Sequence, residues 1–179
     1  MTTETLFIAC AVVVAIIGGI TDVASRKIPN RLTYAAMLVA IVGRGALMGW
    51  RGLGGAIAGG LIGGGVFLIF FLLHAMGAGD VKLITAVGAL VGPSLSLQIL
   101  LYSAIAGGLL AIVYALWLGR LRTVLANVGS LIKFHAAVGA EVHPTLNLSN
   151  PEAVRLPYGI AIAAGVLFSV VVLYCRGGV

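Results

Sequence analysis

Long apolar blocks alternate with short polar breaks along almost the whole chain. Six blocks, at about 5–21, 33–49, 53–73, 81–95, 97–118 and 156–174, approach the roughly 20 residues that a helix needs to cross a hydrocarbon core. The fourth is the shortest. Connectors between them are short, except for about 35 residues between the fifth and the sixth. The pattern predicts an all-α polytopic membrane protein, a bundle of about six transmembrane helices, with residues 1–179 forming a single integral-membrane domain. No stretch is left over for a separate soluble domain. The first block follows Glu4 and precedes its basic residues, the reverse of a secretory signal, so it reads as a retained helix.

The long connector, 119–155, has a pattern of its own. Leu121, Val124, Leu125, Val128, Leu131 and Ile132 recur at helical spacing, while Arg122, Asn127, Ser130 and Lys133 fall largely elsewhere around the turn. Such a helix lies along the bilayer surface or packs on the bundle; the pattern alone leaves both open. His143-Pro144 and Asn150-Pro151 then mark irregular chain. In the third block Gly55, Gly59 and Gly63 fall four apart with Gly60 and Gly64 beside them, a spacing that lets helix backbones approach closely in lipid.

Composition agrees with a membrane protein: 61% of residues are hydrophobic and 9% charged, against about a quarter charged in soluble domains. The net charge of +6 forms no continuous basic stripe, which argues against nucleic acid and for topology. With the first loop cytoplasmic, Arg26, Lys27, Arg31, Lys82, Arg120, Arg122, Lys133 and Arg155 share that side, leaving Arg44, Arg51 and Arg176 opposite, as the positive-inside rule requires. Cys10 and Cys175 form no CxxC pair, and His135 and His143 have no nearby ligand cluster, so no metal site or disulfide is expected.

The chain has only five acidic residues. Glu4, Glu141 and Glu152 fall in terminal or loop positions. Asp22 and Asp80 each stand at the end of an apolar block on the same expected side, where a carboxylate is costly and marks a functional candidate. Two carboxylates brought together do not both ionise readily; one holds a proton while the other acts as base toward a shared water. That is the chemistry of an aspartyl protease and requires no metal or other cofactor. The structural alternatives are a cap or an Arg26 pair for Asp22, and a cap or a Lys82 pair for Asp80.

The local sequence separates these readings. Asp22-Val-Ala-Ser-Arg-Lys followed by Ile28-Pro29-Asn30, then Gly77-Ala78-Gly79-Asp80-Val81-Lys82, resembles the two signature sites of the type IV prepilin peptidases, a GxGD group of intramembrane aspartyl proteases. Arg155-Leu156-Pro157-Tyr158-Gly159 is similar to a third short motif of that family. The resemblance implies that Asp22 and Asp80 are the catalytic aspartates. It also implies a protein of the bacterial inner (cytoplasmic) membrane that cuts precursor pilins on the cytoplasmic side, removing a short basic leader ahead of a hydrophobic helix. Longer members carry a cysteine-bearing cytoplasmic insertion and also methylate the new N-terminus. The first loop here is about ten residues and has no cysteine, so the chain resembles the short branch serving Flp or Tad-type pili, with no methyltransferase activity expected. An archaeal relative acting on archaellins is the other short-form reading.

The remaining motif positions carry weaker signals. Glycines at 77 and 79 remove side chains beside Asp80 and would let an extended substrate approach. Lys82 has a snorkelling role as its default, with tuning of Asp80 or contact with substrate as the functional option. Pro157 and Tyr158 suit a helix entry and a membrane interface, and His74 reads as structural. The rival from another class is an ion-coupled transporter or proton-relay subunit in which the two acids only carry protons.

Overall fold

A computed structural model describes residues 2–148, 150 and 156–177; Arg155 and Glu152 lie outside the described residues. Every regular element among the described residues is a helix: α1 (Thr3–Ser25), α2 (Asn30–Leu38), a π-helical turn (Val39–Gly43), α3 (Arg44–Leu72), α4 (Ala78–Val91), α5 (Pro93–Trp117), α6 (Leu121–Val138) and α7 (Tyr158–Cys175). Thr2 caps α1 by accepting the Thr5 N–H, and Pro93 opens α5 at a position where its missing N–H costs nothing.

Among the described residues, four stretches are long and apolar enough to cross a membrane: Thr3–Ser25, Asn30–Leu72, Pro93–Trp117 and Tyr158–Cys175. The second is 43 residues long but not one rod. At Gly49 the backbone takes φ 64° and ψ −155°, outside the helical region and open to glycine at little cost. Gly52 then lies against the Arg44 carbonyl, and Gly45 faces Leu53, so the chain doubles back. The two legs match the blocks expected at 33–49 and 53–73.

The fourth expected block, 81–95, becomes α4 over Ala78–Val91, ended by Gly92 at φ 81°. Its 14 residues rise only about 21 Å. It does not qualify as a span by length, and its position gives the physical reason that it need not. Leu83, Ile84, Val87 and Leu90 are completely buried at the centre of the bundle, surrounded by protein rather than lipid. The α3 glycines press directly on α4. A Cβ on Gly59 would strike the Gly88 carbonyl, one on Gly63 would stand 2.7 Å from the Ile84 carbonyl, and one on Gly64 would strike the Thr85 hydroxyl. Ser96, on α5, ties that helix to the same face of α3 by donating to the Gly59 carbonyl at 2.9 Å. Gly55 has a different neighbour, the Arg44 guanidinium.

Helix ends collect at two levels. At the first are the start of α1, the turn at Gly49, the α4–α5 junction and the end of α7, with Trp50 and Tyr174 exposed there. Arg44 is buried at this level, bidentate to Glu4 at 2.9 and 3.0 Å, donating to the Leu90 carbonyl and stacked over Phe7. At the other level are the end of α1, the starts of α2, α4 and α7, and the ends of α3 and α5. Asp22 and Asp80 both belong to this second level, with exposed Tyr34 and Trp117 on its rim.

Candidate active site

Asp22 lies one turn before the end of α1, which runs on past the expected boundary to Ser25. The carboxylate is buried, and it meets the first turn of α7, where the backbone N–H of Gly159 donates to Asp22 Oδ2 at 2.8 Å. An N–H of this kind has no partner inside its own helix, and the helix dipole adds positive potential at that end, so the site suits an acid. The close fit depends on residue 159 being glycine. A Cβ there would stand 2.9 Å from Asp22 Cβ and 3.1 Å from Oδ2.

Asp80 stands in the first turn of α4, ahead of the apolar block expected at 81–95. Gly77 is the N-cap, and its backbone N–H donates to the Asp80 carboxyl, which returns from the third helical position as in a capping box. Asp80 is only partly exposed. Burial, and then the nearby Asp22 carboxylate, push its pKa up to about 7, against the opposing Gly77 hydrogen bond.

The two acids line one cavity of about 550 Å³, together with Arg26, Phe71, His74, Met76, Leu156 and Tyr158. Tyr158 connects it to the bundle: its hydroxyl donates to the Ser103 carbonyl at 3.1 Å and its ring meets Phe67 edge-on. Leu148 forms another part of the wall, and its N–H donates to the His74 carbonyl at 2.8 Å. His74 itself sits in the left-handed region at φ 54°, closing the α3 end.

The other motif positions assemble around the pair without all facing it. Pro157 is the N-cap of α7 and sets the chain direction into Tyr158 and Gly159. Ile28 packs over Gly79, where a Cβ would come within 3.4 Å of the Ile28 Cβ; Gly79 therefore turns toward the first loop rather than toward open space. A Cβ on Gly77 would face Asp80 Oδ2 at 3.2 Å. Pro29 is the N-cap of α2, followed by Asn30. Lys82 donates to Asn30 Oδ1 at 3.0 Å and its ammonium lies 5.3 Å from the Tyr34 ring centre, so it ties α4 to α2 instead of pairing with Asp80. Among the described residues no group of three or more His, Cys, Asp or Glu side chains is placed to hold a metal ion.

Phe71, Met76 and Leu148 lie outside the motifs that the sequence offers, whereas Leu156, Tyr158 and Gly159 belong to the third of them. Phe71, Met76 and Leu148 look like any other apolar residue near a helix end. Gly159 carried a signal, since a glycine one residue after the start of a helix loses propensity without gaining a turn.

The profile of the type IV leader peptidase family matches residues 7–112, more than half of the chain, and the chain belongs to that family. The matched region contains both Asp22 and Asp80. No curated protein and no solved structure gives a significant match.

Proposed function

We propose that the chain is an intramembrane aspartyl endopeptidase that removes the short basic leader from type IV prepilins of the Flp or Tad kind, on the cytoplasmic side of the bacterial inner membrane. One observation carries the reading: Asp22 and Asp80 line a single cavity at one level of an apolar helical bundle, and each carboxyl is held at the N-terminal end of a helix. Membership of a leader peptidase family supports the reaction class. The basic residues Arg26, Lys27, Arg31, Lys82, Arg120 and Arg122 flank the cavity end of the helices, which supports a cytoplasmic opening.

The two environments support a division of roles. Asp80, pushed up to about 7, holds the proton, and Asp22, anchored by the Gly159 N–H, is the base. Asp22 takes a proton from water as the water oxygen attacks the scissile carbonyl carbon, while the Asp80 proton stabilises the developing oxyanion. Collapse of the tetrahedral species breaks the C–N bond. A proton passes to the leaving amine, giving a leader with a new carboxylate and a pilin with a new amino terminus.

The opening of the cavity at a helix-end level suits a substrate whose polar leader is in water and whose hydrophobic helix is in lipid. The reading is tested by incubating the protein in lipid with a precursor pilin and measuring the mass of the product. The expected product begins just ahead of the hydrophobic helix. A precursor that stays intact, or is cut within that helix, overturns the reading.

A further inference from the structure

Among the described residues, α6 is the one helix in which no residue is buried. Leu125, Val128 and Ile132 are 59%, 47% and 65% exposed, and their spacing of three and four places them in one stripe. Leu121, Val124, Leu131 and Phe134 are partly covered, so the apolar side continues from the bundle onto the open face. Arg122 and Lys133 are about three turns apart and fall together on the far flank of the stripe. No Asp or Glu occurs between Asp80 and Glu141, so α6 presents positive charge without an internal counter-charge.

Both ends of α6 are tethered at the cavity level. Only Leu118, Gly119 and Arg120 separate it from α5, whose last residue, Trp117, is 77% exposed beside Tyr114. Exposed Trp at the end of an apolar helix marks a membrane–water boundary. Downstream, the chain returns to the end of α3, where the Leu148 N–H donates to the His74 carbonyl. A helix held at that boundary from both sides, with an apolar stripe bordered by cations, meets lipid acyl chains on one face and headgroups at its flank.

We infer that α6 docks on the membrane surface and that Arg122 and Lys133 recognise anionic lipid headgroups. Charge complementarity favours this occupant over the substrate proposed above, because a basic leader is repelled by the same two residues. Docking also fixes the chain that leads to Leu148, on the cavity wall. The surface contact itself does not depend on the peptidase reading.

The test uses the full chain in vesicles, with Cys10→Ser and Cys175→Ser as background and a fluorophore attached through Val128→Cys. Phosphatidylcholine vesicles, with or without about a third phosphatidylglycerol, carry a nitroxide lipid that quenches near the headgroups. Leu116→Cys, 58% exposed beside the boundary at the end of α5, is the control that lipid contact is detectable. Quenching at Val128→Cys is expected to exceed that at Ala126→Cys at least about twofold and to rise with anionic lipid, and the rise should vanish in Arg122→Gln/Lys133→Gln. Equal quenching at 126 and 128, or no response to phosphatidylglycerol, overturns the inference. Crosslinking of two chains through Val128→Cys in place of quenching also overturns it, by giving the face to a second copy. None of these readings requires cleavage, so they stand whether or not the protein cuts pilins.

Discussion

Gly159 donates its backbone N–H to Asp22 Oδ2 at 2.8 Å across 137 positions of sequence, and no side chain larger than hydrogen fits at that place without moving the carboxylate. Gly159→Ala is therefore expected to leave a folded protein with Asp22 displaced. Misplacement of a reacting group by about 1 Å costs on the order of 100-fold in rate, and a loss of that size in leader cleavage is expected. Cleavage kinetics and size-exclusion behaviour, measured together, separate displacement from unfolding.

With the proton on Asp80, as proposed, the activity has a direction with pH. The Asp80 pKa is raised to about 7, so the single-proton state of the pair is lost as pH rises through that value. Because this is the group of the substrate-free protein, kcat/KM for cleavage is expected to fall about tenfold for each pH unit well above 7. A rate that keeps rising between pH 7 and 9 contradicts the assignment of the proton to Asp80.

Stability should follow the same group with the opposite consequence for a variant. Because the folded-state pKa is raised, the folded protein keeps a proton that the unfolded chain has released between about pH 4 and 7. Stability from this group is greatest at low pH and is lost as pH rises through about 7. Asp80→Asn cannot ionise, so at pH 8 it is expected to unfold at a temperature equal to or above that of the parent while losing cleavage. Thermal unfolding in detergent checks this; a clearly lower temperature argues that the carboxylate supports the fold.

Packing between α3 and α4 offers a test that does not involve the acids. Gly59→Ala drives a methyl group into the Gly88 carbonyl and Gly92, and an overpacked helix contact costs about 1–3 kcal/mol. Gly65→Ala, where nothing lies within 4 Å, is expected to be neutral or slightly stabilising. Comparing the two unfolding temperatures isolates the contact from helix propensity.

Much of this architecture is legible in the amino-acid order because a membrane imposes a simple rule on it. The apolar blocks locate α1, both legs around Gly49, α5 and α7, and two carboxyls near their ends stand out against so few charges. The limits are equally physical. α4 starts three residues ahead of its block and stops four before its end, between Gly77 and Gly92, and burial at the bundle centre relieves it of spanning length. The contact of Gly159 with Asp22 joins the first helix to the last, and no local pattern encodes it. Lys82 turns to Asn30 and Tyr34 because α2 and α4 start side by side, a juxtaposition that only the folded chain creates.

The central claim is that Asp22 and Asp80 act as one catalytic pair. Leader cleavage of a reconstituted precursor pilin by the parent, Asp22→Asn and Asp80→Asn measures it most directly. Each single variant is expected to lose cleavage by at least about 1000-fold, with the double variant no slower than the worse single one, since residues acting as a unit are not additive. Substantial cleavage by either folded variant would contradict the paired mechanism.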